Sequence, residues 1–282
     1  MLEILHSGLY TSVQDLGRFH YRNFGVPVSG VMDDFHARLA NQMLGNDENA
    51  AVLEMTLQGA HVKFHEPTQL VICGADLSPK LHRSDIRVNI PVNVSKGDEL
   101  SFGKRNYGVR AYLAVKNGFR TEKILKSRSF YEGITPKSRI VIGDFVPYQT
   151  ITKKIQPKTN IAIQKEVFTN TTIKVYEGPE FHLLSKKQQE KLFNTTFSIG
   201  LNNRMAYQLE ETIQNECPSI ITSAVLPGTI QLTPSGKLII LMKDCQTTGG
   251  YPRILQLDQQ SIIKLSQKYT RDTFCFKKLS IS

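Results

Sequence analysis

The sequence predicts a mainly β protein with a few helices, arranged as two related barrel-like domains. Short segments of alternating apolar and polar residues, separated by Gly, Pro, Asn and Asp turns, dominate the first half. A polar and basic stretch from about residue 147 to 170 lacks apolar periodicity, which indicates a connector. Strands, one helix and a cluster of polar loops are expected on each side of it. The predicted domains are therefore 1–150 and 151–282.

The elements of the first half follow from period-two patterns and one helical pattern. Asp33 is a credible helix N-cap, Phe35, Leu39 and Met43 recur at helical spacing, and Gly45 supplies the stop. The predicted strands are Leu2–Leu5, Ala51–Met55, Val62–Phe64, Gln69–Cys73, Ile86–Val88, Glu99–Phe102 and Val109–Val115.

The second half repeats this mixture of strands and a helix. Gly178-Pro179 is a good helix opening with Pro at the first helical position, and Phe181, Leu184, Gln188 and Leu192 follow at helical spacing. The predicted strands are Thr172–Tyr176, Phe197–Ile199, Thr229–Leu232, Leu238–Met242 and Ile254–Leu257.

Composition indicates a soluble globular protein, since 40% of the 282 residues are hydrophobic and 21% are charged. No signal peptide is evident at the N-terminus and no apolar run approaches the length of a membrane span, so a cytoplasmic location is expected. Four widely spaced cysteines without a CxxC pair favour reduced thiols over a zinc site: Cys73, Cys217, Cys245 and Cys275.

The formal charge of +10 raises the question of nucleic-acid binding. The basic residues are diffuse, with local density only at Lys153-Lys154 and Lys186-Lys187, and no basic and aromatic platform accompanies them. We therefore expect no nucleic-acid partner. Two interpretations of the charge remain open, a solvated basic surface and a basic face that meets an acidic partner protein.

Familiar chemical motifs are missing from the sequence. It has no phosphate-binding P-loop, no GxGxxG after a strand and no GxSxG elbow. His61 and His65 fall in a strand pattern, where they would be poor co-ligands, so no metal site is expected. No Ala-Met-Lys-Met sequence is present, so the chain carries no biotin attachment site of that kind.

Three glycine-rich polar loops remain as the candidate site: Gln14–Arg18, Ser29–Asp33 and Gln246–Pro252. A hairpin turn is the simpler interpretation of the last loop, and Asp33 would also serve merely as a helix cap. Arginines clamp carboxylates, hydroxyls and backbone amides hold a developing oxyanion, and carboxylates carry protons. The candidate catalytic residues are Asp15, Arg18, Asp33 and Glu54. The candidate substrate-binding residues are Gln14, Ser29, Asn41, Arg204, Gln246, Thr247, Thr248, Gly249, Gly250 and Tyr251.

Ten segments in consistent order resemble the allophanate hydrolase subunit 2 family. It is also called the biotin-dependent carboxyltransferase family, and it includes the C subunit of 5-oxoprolinase. The segments are Gly8–Arg18, Gly25–Asp33, Arg38–Asn41, Leu53–Thr56, Cys73–Leu77, Gly108–Val115, Ser127–Ser129, Asn203–Met205, Pro227–Gln231 and Gln246–Pro252.

The resemblance implies two cyclophilin-like β-barrel domains and a role as the C subunit of an ATP-dependent 5-oxoprolinase. Such a chain would be inactive alone, would bind the B subunit tightly and would also work with the A subunit. The complex would open 5-oxoproline, a lactam, to glutamate with ATP as co-substrate. Two alternatives are the carboxyltransferase component of a biotin-dependent urea carboxylase and a regulatory protein that antagonises a kinase inhibitor.

The sequence departs from the family pattern at three places. Cys245 replaces the usual Arg before the Gln-Thr-Thr-Gly-Gly-Tyr-Pro motif, and Asn202–Tyr207 replaces Ser-Asp-Arg-Met-Gly-Tyr. The Gly-rich stretch expected after Ser129 is shortened. The missing guanidinium implies weaker anion binding by the last loop, and with it a changed substrate or a lower activity.

Overall fold

The computed structural model describes residues 1–151, 166–218 and 220–280. Within these ranges the protein is mainly β with four α-helices, as predicted. The described chain divides into two compact units. Unit 1 contains residues 1–18 and 29–151, and unit 2 contains residues 19–28 and everything described from 166 onward. Most of the predicted connector lies outside the described residues.

The strands of unit 1 form two sheets. One sheet has the order β11-β1-β4-β9-β6-β7 and the other the order β2-β3-β10-β5-β8. The strands are β1 (Leu2–His6), β2 (Tyr10–Gln14), β3 (Val52–Thr56), β4 (His61–Phe64), β5 (Thr68–Asp76), β6 (Pro79–Leu81), β7 (Ser84–Asp85), β8 (Val92–Val94), β9 (Glu99–Phe102), β10 (Tyr107–Val115) and β11 (Phe145–Val146).

Both sheets of unit 1 contribute side chains to one hydrophobic core. Leu2 and Phe64 come from the first sheet, Leu53 and Leu113 from the second, and all four are fully buried. Each such side chain stabilises the fold by about 1.5–3 kcal/mol. The strong alternation that predicted these strands is therefore the pattern of residues that point into this core.

Helix α1 (Asp34–Met43) begins and ends where the sequence predicted. Asp33 caps it by accepting from His36 N at 3.0 Å, and Gly45 follows the end of the helix with φ of +61°. The predicted apolar face was wrong at Phe35, which is 52% exposed. Ala37 and Ala40 are buried instead, because small side chains let the helix lie close to the sheet that carries Val71 and Tyr112. Its buried polar residues are His36 and Asn41.

Unit 2 contains a closed barrel in the order β12-β19-β16-β17-β14-β13-β20 and a separate pair, β15-β18. The strands are β12 (Thr172–Glu177), β13 (Thr196–Asn202), β14 (Ala206–Thr212), β15 (Ser223–Ala224), β16 (Thr229–Leu232), β17 (Lys237–Leu241), β18 (Thr248–Gly249), β19 (Arg253–Leu257) and β20 (Thr273–Lys278). The helices are α2 (Glu166–Thr169), α3 (Lys186–Asn194) and α4 (Gln259–Ser266).

Two predicted elements differ from the structure. The helix predicted to open at Gly178-Pro179 is a 3-10 turn over Phe181–Leu183, and α3 starts only after Ser185. Ser185 and Gln188 form a reciprocal capping box there, which sets the helix start more strongly than proline does. The strand predicted at Ile86–Val88 is a turn region, since Asn89 takes a positive φ of 59°. The strands without a predicted counterpart include β2, β6, β7, β8, β14, β15, β18 and β20, and helices α2 and α4 were not predicted either.

The described residues were searched for membrane-spanning helices and for groups of metal-ligating side chains. No helix there is long and apolar enough to cross a membrane. His61 lies 3.1 Å from Glu99 and His65 lies 2.6 Å from Glu3, so each histidine pairs with one carboxylate. No group of three or more metal-ligating side chains is found in the part of the chain that the structure describes.

Candidate functional site

Asp15 is the centre of a buried hydrogen-bond cluster in unit 1. Its carboxylate accepts from the hydroxyls of Ser127 and Ser129 at 2.6 Å each, from Arg128 N at 2.6 Å and from Gly17 N at 2.9 Å. The side chain of Ser129 in turn accepts from Asp15 N at 3.0 Å. Because the carboxylate is 3% exposed and accepts four bonds, it holds the loop of residues 127–129 against the end of β2.

Gln14 and Arg18 flank this carboxylate and are also buried. Arg18 donates from Nε to the Ile124 carbonyl at 3.2 Å and from Nη2 to the Ser129 carbonyl. Gln14 donates to Ser12 Oγ at 2.9 Å and to the Phe130 carbonyl at 3.3 Å. The three predicted side chains thus meet in one cluster, and all three engage protein atoms.

The Ser29–Asp33 loop lies directly against this cluster. Val31 N donates to the Asp15 carbonyl at 2.9 Å, and Ser29 is fully buried with φ of +57°. Gly30 has φ of +87°, and a Cβ on it would meet Gly17 N at 2.8 Å. Only glycine permits both this conformation and this approach. The loops predicted to cooperate in the first half are therefore adjacent.

Glu54 organises a second buried cluster beside the first. Its Oε2 accepts from Tyr112 Oη at 2.9 Å and from Met32 N at 2.7 Å, and Arg110 Nε lies 3.9 Å from its Oε1. The Tyr112 hydroxyl also accepts from Asp33 N at 2.8 Å. Burial raises the pKa of Tyr112 well above its ordinary value, helped by the charges of Glu54 and Asp33. Glu54 and Asp33 are therefore linked through one neutral phenol.

Asn41 serves the turn after α1. Its Nδ2 donates to the Ala50 carbonyl at 2.8 Å, and its Oδ1 accepts from Asn46 Nδ2 at 3.1 Å. These bonds hold the segment between the helix and β3. Asn41 was predicted as a substrate-binding residue, and the contacts seen are those of loop support.

Arg204 in unit 2 forms a bidentate ion pair. Its Nε lies 2.8 Å from Asp244 Oδ2 and its Nη2 lies 3.0 Å from Asp244 Oδ1. The guanidinium was predicted to clamp a carboxylate, and here the carboxylate belongs to the protein. Asp244 N also donates to the Arg204 carbonyl at 2.9 Å, so the pair fixes the turn that precedes Cys245.

The Gln246–Tyr251 loop of unit 2 presents donors at the surface. Thr248 and Gly250 are exposed, and Tyr251 is 42% exposed. The loop is fixed by the pairing of Thr248 with Ala224 and by Gln231, whose Nε2 donates to the Tyr251 carbonyl at 3.3 Å. Thr248, Gly250 and Tyr251 therefore lie at the surface on an anchored backbone.

Arg22 contacts this loop and was not predicted from the sequence. It lies in the 19–28 segment of unit 2 and donates from Nη2 to the carbonyls of Val225 and Thr247, the latter at 3.2 Å. Burial raises the pKa of the Cys245 thiol to about 11, although the nearby Arg22 guanidinium opposes this shift. Cys245 is thus a neutral buried thiol, and a guanidinium from elsewhere in the chain lies beside it.

Sequence reasoning singled out Gln14–Arg18 and the last loop as candidates, but it missed several residues that hold them in place. Ser127 and Ser129 carried a signal, because they belong to a segment of the family resemblance. Tyr112 stands opposite Glu54 in the β10–β3 register, which an accurate pairing prediction would have shown. Arg22 had no local signal, since 225 positions separate it from Thr247.

Comparison with known proteins gives one family and several relatives. The family described as carboxyltransferase domain, subdomain A and B, matches residues 24–278. The C subunit of 5-oxoprolinase from Escherichia coli strain K12 is 30% identical over 278 residues, which cover 95% of this chain and 87% of the relative.

Solved structures show the same fold within longer chains. A crystal structure of the protein TTHA0988 has a TM-score of 0.87 at 24% identity and covers 98% of this chain, which spans 55% of that protein. The K. lactis urea amidolyase structure has a TM-score of 0.85 at 29% identity, covering 99% of this chain and 19% of the larger one. The chain therefore spans about half of the first and a fifth of the second.

Proposed function

Because the chain belongs to the carboxyltransferase domain family, subdomain A and B, we propose that it is the C subunit of an ATP-dependent 5-oxoprolinase. The observation that carries this proposal is the match to the E. coli C subunit, which extends over 95% of this chain and 87% of the relative. Similarity along nearly the whole of both chains favours an equivalent role over a shared module.

The proposed reaction opens a lactam with water while ATP is hydrolysed. The ring C–N bond of 5-oxoproline breaks, a hydroxyl from water joins the carbonyl carbon, and the ring nitrogen leaves as the amine of glutamate. Negative charge develops on the lactam oxygen as the carbonyl is attacked. Donors that are already in position when this charge develops lower the barrier, because they need no reorganisation.

The Gln246–Tyr251 loop of unit 2 supports this role. The exposed Thr248 hydroxyl and the Gly250 amide are suitable donors to the lactam oxygen. Arg22 and Gln231 bind carbonyl oxygens of the same loop, so the donors stand on a backbone restrained at both ends. In this proposal Gly249 and Gly250 allow the substrate to approach the main chain.

The buried carboxylates of unit 1 have a positioning role in this proposal. The Asp15 carboxylate accepts four hydrogen bonds from protein donors and Glu54 Oε2 accepts two, while Asp33 caps α1 and bonds to His36 Nδ1 at 2.6 Å. Proton transfer by any of them requires a bond to be given up first. We therefore assign them the task of fixing the Gln14–Arg18 and Ser29–Asp33 loops, with Arg18 and Ser29 as members of that frame.

Partners and ATP complete the proposed activity. The chain would act in the cytoplasm with the A and B subunits of the enzyme, the B subunit being the tight partner, and would be inactive alone. ATP is a co-substrate of the assembled complex. The E. coli relative is a subunit by name, which supports a multi-subunit enzyme.

The test is reconstitution of this chain with the purified A and B subunits. We expect ADP release that depends on 5-oxoproline and disappears when this chain is omitted. Release at an unchanged rate without the chain, or no 5-oxoproline-dependent release from the complete mixture, would contradict the proposal. Size-exclusion chromatography of this chain with the B subunit provides the binding control.

A second candidate is the carboxyltransferase part of a biotin-dependent urea carboxylase. The observation in its favour is the 29% identity to K. lactis urea amidolyase across 99% of this chain. Free carboxybiotin and urea serve as its assay. Urea-dependent loss of carboxybiotin with this chain, together with no response to 5-oxoproline, would favour this candidate.

A further inference from the structure

Residues 120–139 of unit 1 carry an excess of positive charge. The segment contains six lysines and arginines and two glutamates, whereas the rest of the described part of unit 1 contains 11 basic and 13 acidic residues. The basic residues of the segment are Arg120, Lys123, Lys126, Arg128, Lys137 and Arg139. Of these, Lys137 forms an ion pair with Asp144. The positive charge of unit 1 is therefore concentrated in one stretch of chain.

A strained turn lies in the middle of this segment. Ile124 N donates to the Ser127 carbonyl at 2.8 Å, and Ser127 N donates to the Ile124 carbonyl at 3.2 Å. Between them, Leu125 and Lys126 have φ of +51° and +65°. Two left-handed residues in succession are typical of a type I′ turn, which normally uses Asn and Gly. Non-glycine residues held in this conformation cluster at binding sites, so the turn is a reason to look for a ligand.

The Asp15 carboxylate fixes the backbone that carries Arg128. Arg128 N donates to Asp15 Oδ2 at 2.6 Å, and the hydroxyls of Ser127 and Ser129 donate to Asp15 Oδ1 on either side of it. Only the main chain of Arg128 takes part in these bonds. Its side chain is partly exposed and forms neither a hydrogen bond nor an ion pair with a described residue. The main chain is therefore held in place while the guanidinium is available.

The surroundings of the Arg128 guanidinium are unfavourable for its charge. Burial lowers the pKa of Arg128, the charge of Arg120 lowers it further, and the charge of Asp15 raises it by less. Repulsion from Arg120 therefore outweighs attraction to Asp15. Arg18 adds positive charge next to the same segment, since its Nε donates to the Ile124 carbonyl at 3.2 Å.

The acidic groups nearby do not balance these arginines. Glu122 is exposed and forms no ion pair with the described part of the chain. Arg120 is also exposed, and its Nη2 donates to the uncharged amide oxygen of Gln149 at 3.1 Å. Around the turn, five basic groups thus stand against two carboxylates: Arg18, Arg120, Lys123, Lys126 and Arg128 against Asp15 and Glu122. An anion with two or more negative charges matches this excess better than a monocarboxylate does.

We propose that Arg120 and Arg128 form a binding site for a phosphate group. Their guanidinium groups would donate to the phosphate oxygens in the bidentate manner typical of arginine, while Lys123 and Lys126 would add attraction at longer range. Free phosphate and the phosphate end of a nucleotide share this chemistry. The site lies in unit 1, whereas the loop assigned to the lactam oxygen belongs to unit 2.

The test is isothermal titration of the full chain with inorganic phosphate, acetate, ADP and adenosine. We expect phosphate to bind about tenfold or more tightly than acetate, because it carries more charge and offers more acceptor oxygens to the two arginines. ADP binding tighter than phosphate, with no binding of adenosine, would identify a nucleotide as the source of the group. Equal affinities of ADP and phosphate would identify free phosphate.

Two results of the titration would overturn the proposal. One is acetate binding as tightly as phosphate, since the site would then not distinguish the charge of the anion. The other is the absence of phosphate binding. If polyglutamate then binds to the chain where phosphate does not, the basic segment is a face for an acidic protein and not a phosphate site.

Variants locate the site without any enzymatic assay. Arg128→Gln should weaken phosphate binding about tenfold or more, and Arg128→Lys should recover only part of it, since lysine keeps the charge and lacks the planar fork. Arg87→Gln is the matched control, because Arg87 is an exposed arginine of unit 1 outside residues 120–139. Equal losses in the two glutamine variants would show a general effect of net charge and overturn the assignment.

Thermal unfolding separates a binding role of Arg128 from a structural one. Because Arg120 repels Arg128 more strongly than Asp15 attracts it, Arg128→Gln should unfold at the temperature of the wild type or above it. Phosphate should raise the unfolding temperature of the wild type and of Arg87→Gln but not that of Arg128→Gln. A lower unfolding temperature of Arg128→Gln without phosphate would show that the guanidinium supports the fold, and would overturn the proposal.

Discussion

The two predicted regions use similar residue types in opposite ways. In unit 1 the charged side chains around Asp15 and Glu54 are buried, and protein donors occupy their oxygens. In unit 2 the Gln246–Tyr251 loop exposes Thr248, Gly250 and Tyr251, while Arg22 and Gln231 hold its carbonyls. One region uses its charge for internal order, and the other has polar residues at the surface.

This contrast distinguishes two structural roles of a polar, glycine-rich loop. A carboxylate that accepts four short bonds fixes a loop geometry, because removing it leaves several buried donors without acceptors. A loop whose carbonyls are bound by the protein and whose side chains are exposed keeps its backbone fixed without burying its polar residues. Substitutions in the two regions should therefore affect different measurements, stability in unit 1 and turnover in unit 2.

The largest effect is expected at Asp15. Asp15→Ala leaves the hydroxyls of Ser127 and Ser129 and the amide of Arg128 without their acceptor, so we expect a loss of about 3 kcal/mol or more in the free energy of unfolding. Thermal or urea unfolding measures it. Asp15→Asn keeps one acceptor oxygen and should lose less. A stable Asp15→Ala protein with lost activity would reverse the contrast and place Asp15 in the reaction.

The next effect is expected at Arg22. Arg22→Gln removes the guanidinium that joins the Val225 and Thr247 carbonyls, so turnover of the reconstituted complex should fall about tenfold or more. Amide hydrogen exchange at residues 247–251 should become faster, which reports loop order without any activity assay. Arg22→Lys should recover only part of both, since lysine lacks the planar fork. Unchanged exchange in Arg22→Gln would contradict the positioning role.

A pair of glycine substitutions sharpens the comparison within the loop itself. A Cβ on Gly249 would meet Gln231 Nε2 at 2.5 Å, whereas a Cβ on Gly250 would meet nothing closer than 3.9 Å. Gly249→Ala should therefore displace the Gln231 bond to Tyr251 and cost about 1 kcal/mol, while Gly250→Ala should be nearly neutral in thermal unfolding. Both Gly249→Ala and Gly250→Ala should lower the turnover rate of the reconstituted complex if the substrate approaches the main chain here. Equal stability losses would show that Gln231 does not anchor the loop.

The smallest effect is a pH dependence in unit 2. Arg253 forms hydrogen bonds to Glu180, which lower the pKa of that carboxyl, and it also donates to the Ala224 carbonyl at 2.8 Å. A lowered folded-state pKa means that this stabilisation is complete above the ordinary glutamate value of about 4.3 and is lost as pH falls through the folded value. The stability difference between the wild type and Glu180→Gln should stay constant from pH 7 down to about pH 5 and shrink only as the pH falls below about 4. A difference that grows instead would contradict this sign.

Sequence patterns predicted the mainly β class and most strands because period-two burial is local information. Helix α1 was found for the same reason, through Asp33 and Gly45. The start of α3 was missed because Ser185 and Gln188 determine it together and proline outweighed them in the pattern. Strands β14 and β20 were missed although each has two buried residues in alternation, Tyr207 and Leu209 in β14 and Phe274 and Phe276 in β20.

The sequence suggested which residues to consider as candidates, but it did not predict the contacts that these residues make. Residue type singled out Asp15 and Arg204 as candidates. Their contacts depend on residues far along the chain, since 112 positions separate Ser127 from Asp15 and 40 separate Asp244 from Arg204. Whether a buried charge meets a ligand or another residue is decided by tertiary contacts that the pattern does not contain.

The assignment of residues 19–28 to unit 2 has a consequence for biosynthesis. Arg22 is made early in translation, yet its partners Val225 and Thr247 are added 203 and 225 residues later. Contacts between residues this distant in sequence form slowly, because the chain loses entropy in closing a long loop before the contacts can stabilise it. Arg22 therefore has no carbonyl partner during most of synthesis, and a fragment that begins at residue 166 would lack this side chain altogether. A loop that is translated late depends for its backbone order on one of the first side chains to leave the ribosome.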